Sequence, residues 1–268
     1  MLDLLTVNLG AASRKRAEGL LSWLALRPEQ VFLLTETSAG AGTSYLLERF
    51  RRAGYHVVKT PDVGDRGAAL VSRVSVVSEL TMDVTVPGRV AAAVLDTEPR
   101  ILAIAVYVPS RDRSVEKTKR KRDFLASLLA ALDGISEQSR GALVLGGDYN
   151  VIDRDHRPRY RTFLPFEYEF FERLSARELL DAHLHLSPDD QPHSWVGRTG
   201  DGYRYDYFHV DATLADRIMV SAYVHGVREE RLTDHSAVSL ALDATILSML
   251  HTTRPTEDSE PIETLRLY

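Results

Sequence analysis

Cysteine is absent from the 268 residues. Its absence excludes a disulfide scaffold, a thiolate zinc site and a cysteine nucleophile. No stretch approaches the ~20 consecutive apolar residues of a membrane span. Met1-Leu2-Asp3-Leu4-Leu5 has no basic n-region, and its apolar run is too short for a signal peptide. Internal repeats and low-complexity blocks are lacking too. The expectation is a cytoplasmic protein of a reducing compartment with no membrane partner. There is no excess of positive charge: 33 Lys and Arg stand against 38 Asp and Glu, a formal −5. That is the wrong sign for a protein that coats nucleic acid with its whole surface. What is present is ordinary for a globular chain, 44% hydrophobic and 26% charged, and excludes wholesale disorder.

The basic residues are concentrated. Arg111 to Arg122 holds seven Lys or Arg and two acids, and Arg154 to Arg161 holds four Arg and one Asp. Two such loops on an acidic body present a local face for phosphate, with Arg111, Arg113, Arg154 and Arg157 as its candidate contacts. Taken alone, each run also reads as a solvated helix start or an exposed loop.

Hydrophobic periodicity alternates between strand and helix. Strands are expected over Leu2–Asn8, over Val31–Leu34 ending at Thr35-Glu36, over Ile101–Val108, and over Ala142–Leu145 running into Gly146-Gly147-Asp148. Two apolar runs, Ala68–Val77 and Val90–Leu95, read as neighbouring strands. Tyr205–Val210 and Ala237–Leu242 are the last two. Helices are expected over Lys15–Ala25, Ser44–Arg52, Phe124–Leu132 and Glu167–Leu174. Residues 1–245 form one α/β domain on this reading. Residues 246–268 form a polar extension, mobile or docked on the surface.

Polar residues collect at the strand ends. Asn8, Glu36, Asp148 and Asn150 each stand at or just past the C-terminal end of an apolar strand, the edge where α/β proteins bind ligands. In an extended segment residues i and i+2 face the same side, so the Asp148 carboxylate and the Asn150 amide share a target. Oxygen donors of this kind suit a hard cation such as Mg²⁺; alone, Asp-x-Asn after a strand is also a turn cap. Thr233-Asp234-His235 stands before the last strand, and Asp206 lies in Tyr205-Asp206-Tyr207. A histidine paired with a carboxylate is stabilised as imidazolium and serves acid–base work or the charge of a phosphoryl oxygen. His183 and His185 have no third ligand in evidence and read as structural.

These residues carry a resemblance. Asn8, Leu33-Leu34-Thr35-Glu36, Val106-Tyr107-Val108-Pro109, Gly147-Asp148-Tyr149-Asn150, Tyr203-Arg204-Tyr205-Asp206-Tyr207 and Thr233-Asp234-His235 stand in the order seen in the endonuclease/exonuclease/phosphatase superfamily. The stretch from Leu180-Asp181-Ala182-His183 through His193-Ser194-Trp195 to Tyr207 looks most like the exonuclease III-type apurinic/apyrimidinic endonucleases. The resemblance implies a four-layer α/β sandwich, two mixed β-sheets flanked by helices, with the site at one edge. It implies Mg²⁺, with Mn²⁺ as the alternative, held by Glu36 with Asn8 beside it and Asp234 in the same network. Asp148 would orient or deprotonate water, Asn150 would bind phosphate or that water, and Tyr107 would contact phosphate. His235, oriented by Asp206, would stabilise the phosphoryl oxygens. Trp195 and Tyr203 would stack on a base or wall an abasic pocket; packing within the protein is the other reading of both.

The implied reaction is in-line hydrolysis of DNA leaving a 3′-hydroxyl and a 5′-phosphate, a DNA-repair chemistry. The sequence departs from the repair pattern in places: Leu9-Gly10 follows Asn8 without an acid, Thr37-Ser38 follows Glu36 without a lysine, Ser110 replaces an asparagine, and Ser236-Ala237 lacks a proline. None of these removes a catalytic group. RNA or a small nucleotide, lipid or metabolite phosphoester is the alternative substrate, and a catalytically idle binding protein the third reading.

Overall fold

The computed structural model describes residues 1–59, 64–136 and 141–257. Two six-stranded sheets pack face to face. One runs in the order Ile218–Val224, Ala237–Leu242, Leu2–Asn8, Val31–Thr37, Gly67–Ser72, His56–Val58. The other runs Leu179–Asp181, Asp206–Asp211, Ala142–Asp148, Ile101–Tyr107, Val90–Leu95, Val76–Leu80. Each has one parallel pair at its centre, Leu2–Asn8 with Val31–Thr37 and Ile101–Tyr107 with Ala142–Asp148. Parallel neighbours need a crossover, and helices Arg14–Leu24 and Val115–Asp133 supply the two.

Period-2 alternation divides the side chains between layers. Leu33 and Leu70 of one sheet meet Ala91, Ala93, Ala103, Ala105 and Val144 of the other in the central core. Outward-facing Leu5, Val7, Phe32 and Leu34 pack under Leu20, Leu24, Leu46 and Phe50 of helices Arg14–Leu24 and Ala41–Arg52. Leu102, Ile104, Val106 and Leu145 pack under Phe124, Leu128 and Phe170 of helices Val115–Asp133 and Pro165–Ser175. The result is the expected four-layer sandwich.

Close approach of the sheets depends on small residues where the site will form. A Cβ at Gly146 would lie 2.8 Å from Leu33 Cδ1 across the interface, and one at Gly147 (φ +149°) would lie 1.9 Å from the Val106 carbonyl oxygen. Gly146-Gly147 therefore lets the end of its strand come under the first sheet. Asp148 on one sheet and Asn8 on the other end 2.9 Å apart as a consequence.

Several sequence expectations are corrected. The run Ala68–Val77 is two strands in different sheets: Gly67–Ser72 pairs with Val31–Thr37, while Val76–Leu80 pairs with Val90–Leu95. Arg73 and Ser75 flank the buried Val74 at the crossing, and polar residues inside an otherwise apolar run do not by themselves mark a passage from one sheet to the other. Most of the basic segment 111–122 is not a loop, because the helix begins at Val115, capped by the Ser114 hydroxyl accepting from Lys117 N–H. Strands His56–Val58, Leu179–Asp181 and Ile218–Val224 carried no periodicity strong enough to be read. The polar extension is docked as far as it is described. Thr245–Ile246 pairs with Thr97–Glu98, Leu250 N–H donates to Arg73 O at 2.7 Å, and Arg49 Nε donates to Pro255 O at 2.8 Å. Residues 258–268 lie outside the described residues. Among the described residues no helix is long and apolar enough to cross a membrane.

Candidate active site

Both central parallel pairs end at the same edge of the sandwich. Asn8 and Thr35 are in register at the end of one pair, and Tyr107 and Asp148 at the end of the other. The antiparallel neighbours start there, Asp206 opposite Asp148 and His235 just before Ala237–Leu242. Glu36 sits in a bulge, where Thr35 and Thr37 pair with Ala68 and Gly67 and Glu36 itself is left over at φ +49°. A bulge re-aims the side chain that a regular strand would send elsewhere. Asn150 likewise has φ +50°. Two non-glycine residues in the left-handed region at one edge are a feature of functional sites.

The side chains converge. Ligand atoms of Glu36, Asp148 and His235 all lie within 4.8 Å of one another. Asp148 is wholly buried and held on both oxygens: Asn8 Nδ2 donates to Oδ2 at 2.9 Å, and Asn150 N–H donates to Oδ1 at 2.8 Å. Asn8 Oδ1 in turn accepts from Gly10 N–H at 2.7 Å, so both ends of this amide are committed to positioning. Tyr107 Oη donates to Glu36 Oε1 at 3.1 Å, and the Arg66 guanidinium pairs with Glu36 Oε2. His235 Nδ1 donates to Asp206 Oδ2 at 2.7 Å, which leaves Nε2 to face the site. Trp195 Nε1 donates to Asp234 Oδ2 at 3.1 Å, placing Asp234 at the exposed rim rather than among the three converging groups.

Electrostatics separate the roles. Burial pushes the Asp148 carboxyl well above the usual carboxylate range; the charges of Asp206 and Glu36 add to this, while His235 opposes. Burial pulls His235 down, but the adjacent Asp206 charge and hydrogen bond outweigh it and lift the imidazole to about 10. His235 is therefore an imidazolium at neutral pH, a donor rather than a metal ligand. The Tyr107 hydroxyl is pushed up by burial and by Asp148 and Glu36, and stays a neutral donor. The Glu36 carboxylate and the Asp148 carboxyl beside a protonated imidazolium are a hard-oxygen donor set, which fits a divalent ion held chiefly by Glu36 with water around it.

A cavity of about 610 Å³ opens beside this cluster, with Asn150 and Tyr205 toward the site and Arg113, Arg161 and Phe163 farther out. Tyr203 forms its aromatic wall, stacked on Tyr205 at 5.1 Å and on Tyr160 at 4.2 Å between ring centroids, with Trp195 at 5.6 Å. Of the four arginines expected to meet phosphate, Arg113 lines the cavity. Arg111 lines it too, but its guanidinium is bound to Glu167 and to Thr162 O. Arg154 is turned to Glu172, and Arg157 is exposed, its backbone N–H donating to Gln191.

Sequence reasoning missed four groups. Arg66 and Asp65 come from an irregular segment with no periodic signal, their partner Arg89 ends the short helix Pro87–Arg89, and Arg204 lies in a tyrosine-rich stretch where its burial against Asp181 at 2.7 Å was not legible. Lys121 looked like one more solvated charge. It is 1% exposed, and its Nζ donates to Asn150 O and to Glu167 Oε1, both at 2.6 Å. The signal was available, since Lys121 shares the buried helix face of Phe124, Leu125 and Leu128. Lys121→Met leaves the Asn150 carbonyl and one Glu167 oxygen without this partner. A loss of about 3 kcal/mol is expected for breaking such a pair, read by urea denaturation.

Comparison with known proteins gives three findings. The family model described as Endonuclease/Exonuclease/phosphatase family matches residues 5–237. No curated protein matches the sequence. Solved structures with the same fold include an AP endonuclease from Archaeoglobus fulgidus, at 20% identity and TM-score 0.76, covering 91% of this chain and 100% of its own. They also include the 3′ phosphatase NExo from Neisseria bound to a product DNA hairpin, at 22% identity and TM-score 0.77 with coverage of 91% and 100%. A third is the 3′-5′ exonuclease NExo from Neisseria meningitidis, at 23% and 0.77 with coverage of 90% and 100%.

Proposed function

The chain belongs to the endonuclease/exonuclease/phosphatase family, and from that premise we propose that it is a divalent-metal-dependent phosphodiester hydrolase whose substrate is DNA. The observation that carries this is the convergence of Glu36, Asp148 and His235 within 4.8 Å. A DNA substrate is supported by the fold shared with an AP endonuclease and with a 3′ phosphatase bound to a DNA hairpin. The basic and aromatic lining of the neighbouring cavity supports it too. A role in DNA repair in the cytoplasm belongs to the same reading.

Glu36, with Asp148 near it, would hold Mg²⁺ or Mn²⁺. Such an ion, when bound, offsets the negative charge that builds on the phosphoryl oxygens. Asp148, fixed by Asn8 and by the Asn150 N–H, orients the attacking water and takes its proton. Asn150 is anchored by Nδ2 donating to Val108 O at 3.0 Å and by Lys121 on its carbonyl, and presents the remaining face of its amide at the cavity mouth. His235 Nε2–H donates to a phosphoryl oxygen, and Asp206 keeps that proton in place. Tyr107 holds Glu36 toward the reacting centre. In-line attack leaves a 3′-hydroxyl and a 5′-phosphate.

The test is hydrolysis by the purified protein in Mg²⁺ or Mn²⁺, with and without chelator. The substrates are abasic duplex, intact duplex, duplex ending in a 3′-phosphate, single-stranded DNA, RNA and small phosphoesters. Cleavage of one or more DNA substrates that stops with chelator is expected. Turnover confined to RNA or to small phosphoesters, or none at all, overturns the proposal. For DNA binding, log K is expected to fall linearly with log salt, by about 0.9 per phosphate neutralised. Arg113→Ala should reduce that slope by about 1, measured by fluorescence anisotropy from low to moderate salt.

A further inference from the structure

Arg66 pairs with the oxygen of Glu36 that Tyr107 leaves open. Both carboxylate oxygens of the principal expected metal ligand are thereby engaged by groups of the chain itself. Tyr107 is a neutral donor and leaves the charge of Glu36 available. Arg66 is a full positive charge on the same carboxylate, so it opposes the arrival of a divalent cation there by repulsion and by occupying the oxygen.

The geometry of its mooring shows that this guanidinium is placed rather than adventitious. Asp65, the residue before it, is clamped by Arg89 at 3.1 Å and by Arg120. Arg89 is 4% exposed, donates to Tyr107 O at 3.3 Å and lies 4.4 Å over the Tyr107 ring. The backbone at Arg66 is thus fixed to the strand that delivers Tyr107. The Arg66 side chain itself is half exposed, with Glu36, Tyr107 and Asp234 as its charged and titratable neighbours. It is rooted firmly and free at its tip.

We infer that Arg66 couples substrate binding to metal binding, holding Glu36 until a phosphate group arrives and then turning its fork onto that phosphate. A guanidinium matches phosphate bidentately and charge for charge. Phosphate at the Glu36–Asp148–His235 cluster therefore draws Arg66 off the carboxylate and restores Glu36 to the cation. Linkage makes the effect reciprocal: phosphate tightens metal binding by the factor with which metal tightens phosphate binding. This deepens the proposed function and rests on its metal site.

The experiment measures Mn²⁺ affinity by calorimetry and by the electron paramagnetic resonance of free Mn²⁺, with no hydrolysis involved. It compares wild type, Arg66→Gln and Arg66→Lys, with and without inorganic phosphate. In wild type, phosphate is expected to tighten Mn²⁺ about tenfold, an ordinary size for coupled sites. Arg66→Gln is expected to bind Mn²⁺ about tenfold more tightly than wild type without phosphate, and to gain less than about twofold from adding it. Arg66→Lys keeps the charge and loses the fork, so it should keep the weak metal affinity and lose most of the response to phosphate. Unchanged or weaker Mn²⁺ binding in Arg66→Gln, or an undiminished phosphate effect, overturns the inference. So does an absence of Mn²⁺ binding in all three proteins. Failure of catalysis with these shifts present overturns the hydrolase reading and leaves the coupling standing.

Discussion

Asp148→Asn is expected to lower kcat about 10³-fold, within the range for losing a positioned general base, with KM changed little. The substitution keeps the shape of the side chain and removes the atom that takes the proton. One amide oxygen still accepts from the Asn150 N–H, as Oδ1 does now. The new amide nitrogen then faces Asn8 Nδ2, donor to donor, and Asn8 does not turn over easily because its oxygen is held by Gly10 N–H. Against that stands the removal of a buried carboxyl whose ionisation burial already opposes. The two effects have opposite sign, so the thermal midpoint should stay near that of wild type while turnover collapses. Single-turnover cleavage and thermal unfolding of the same samples separate these. A variant that retains a tenth or more of wild-type turnover assigns proton transfer to another group.

The site was legible to the extent that its residues announce themselves locally. Asn8, Glu36, Asp148 and Asn150 follow apolar strands, and a polar side chain at that position needs only short-range pattern to be found. The sheets themselves were legible where burial on both faces produced continuous apolar runs, as at Val31–Leu34 and Ile101–Val106. Tyr107 was not legible from its surroundings, because one hydroxyl at the end of a buried strand looks like packing; only the ordered resemblance singled it out. Arg66, Arg89 and Lys121 fail for a different physical reason. A charged side chain in a turn or on a helix is solvated by default, and whether it is paired or buried instead depends on a partner far away in the chain. Glu167 lies 46 residues from Lys121, and Glu36 lies 30 from Arg66. The bulge that aims Glu36 is equally a tertiary matter, set by the pairing of Thr35 and Thr37 with Ala68 and Gly67.

His235→Ala is expected to cost about 10²–10³-fold in kcat, the usual size for one removed donor to a developing oxyanion. Asp206→Asn makes the sharper test, because it leaves the imidazole in place and changes its proton affinity. In wild type the imidazolium persists to about 10 because Asp206 overcomes the burial penalty. Activity that needs the charged ring is then present below that value and is lost as pH rises through it. Without the carboxylate charge, only the smaller support of Asp148 and Asp234 is left against burial, and the pKa of the ring falls. Asp206 and the His235 charge both act on the Asp148 carboxyl, so the acid limb set by its ionisation differs between the two proteins, and their rates are compared above that limb. There the ratio of wild-type to Asp206→Asn turnover should widen by about tenfold per pH unit until the wild-type limb falls near 10. Stability follows the same sign: a histidine whose folded pKa lies above its unfolded value stabilises the fold fully below ~6.5 and loses that contribution as pH climbs. Turnover of both proteins across that interval, with unfolding midpoints alongside, checks the two together. A ratio that stays constant across the alkaline range, above the Asp148 limb, means that Asp206 holds His235 in place without setting its charge, and the role of the imidazolium as the phosphoryl donor falls with it.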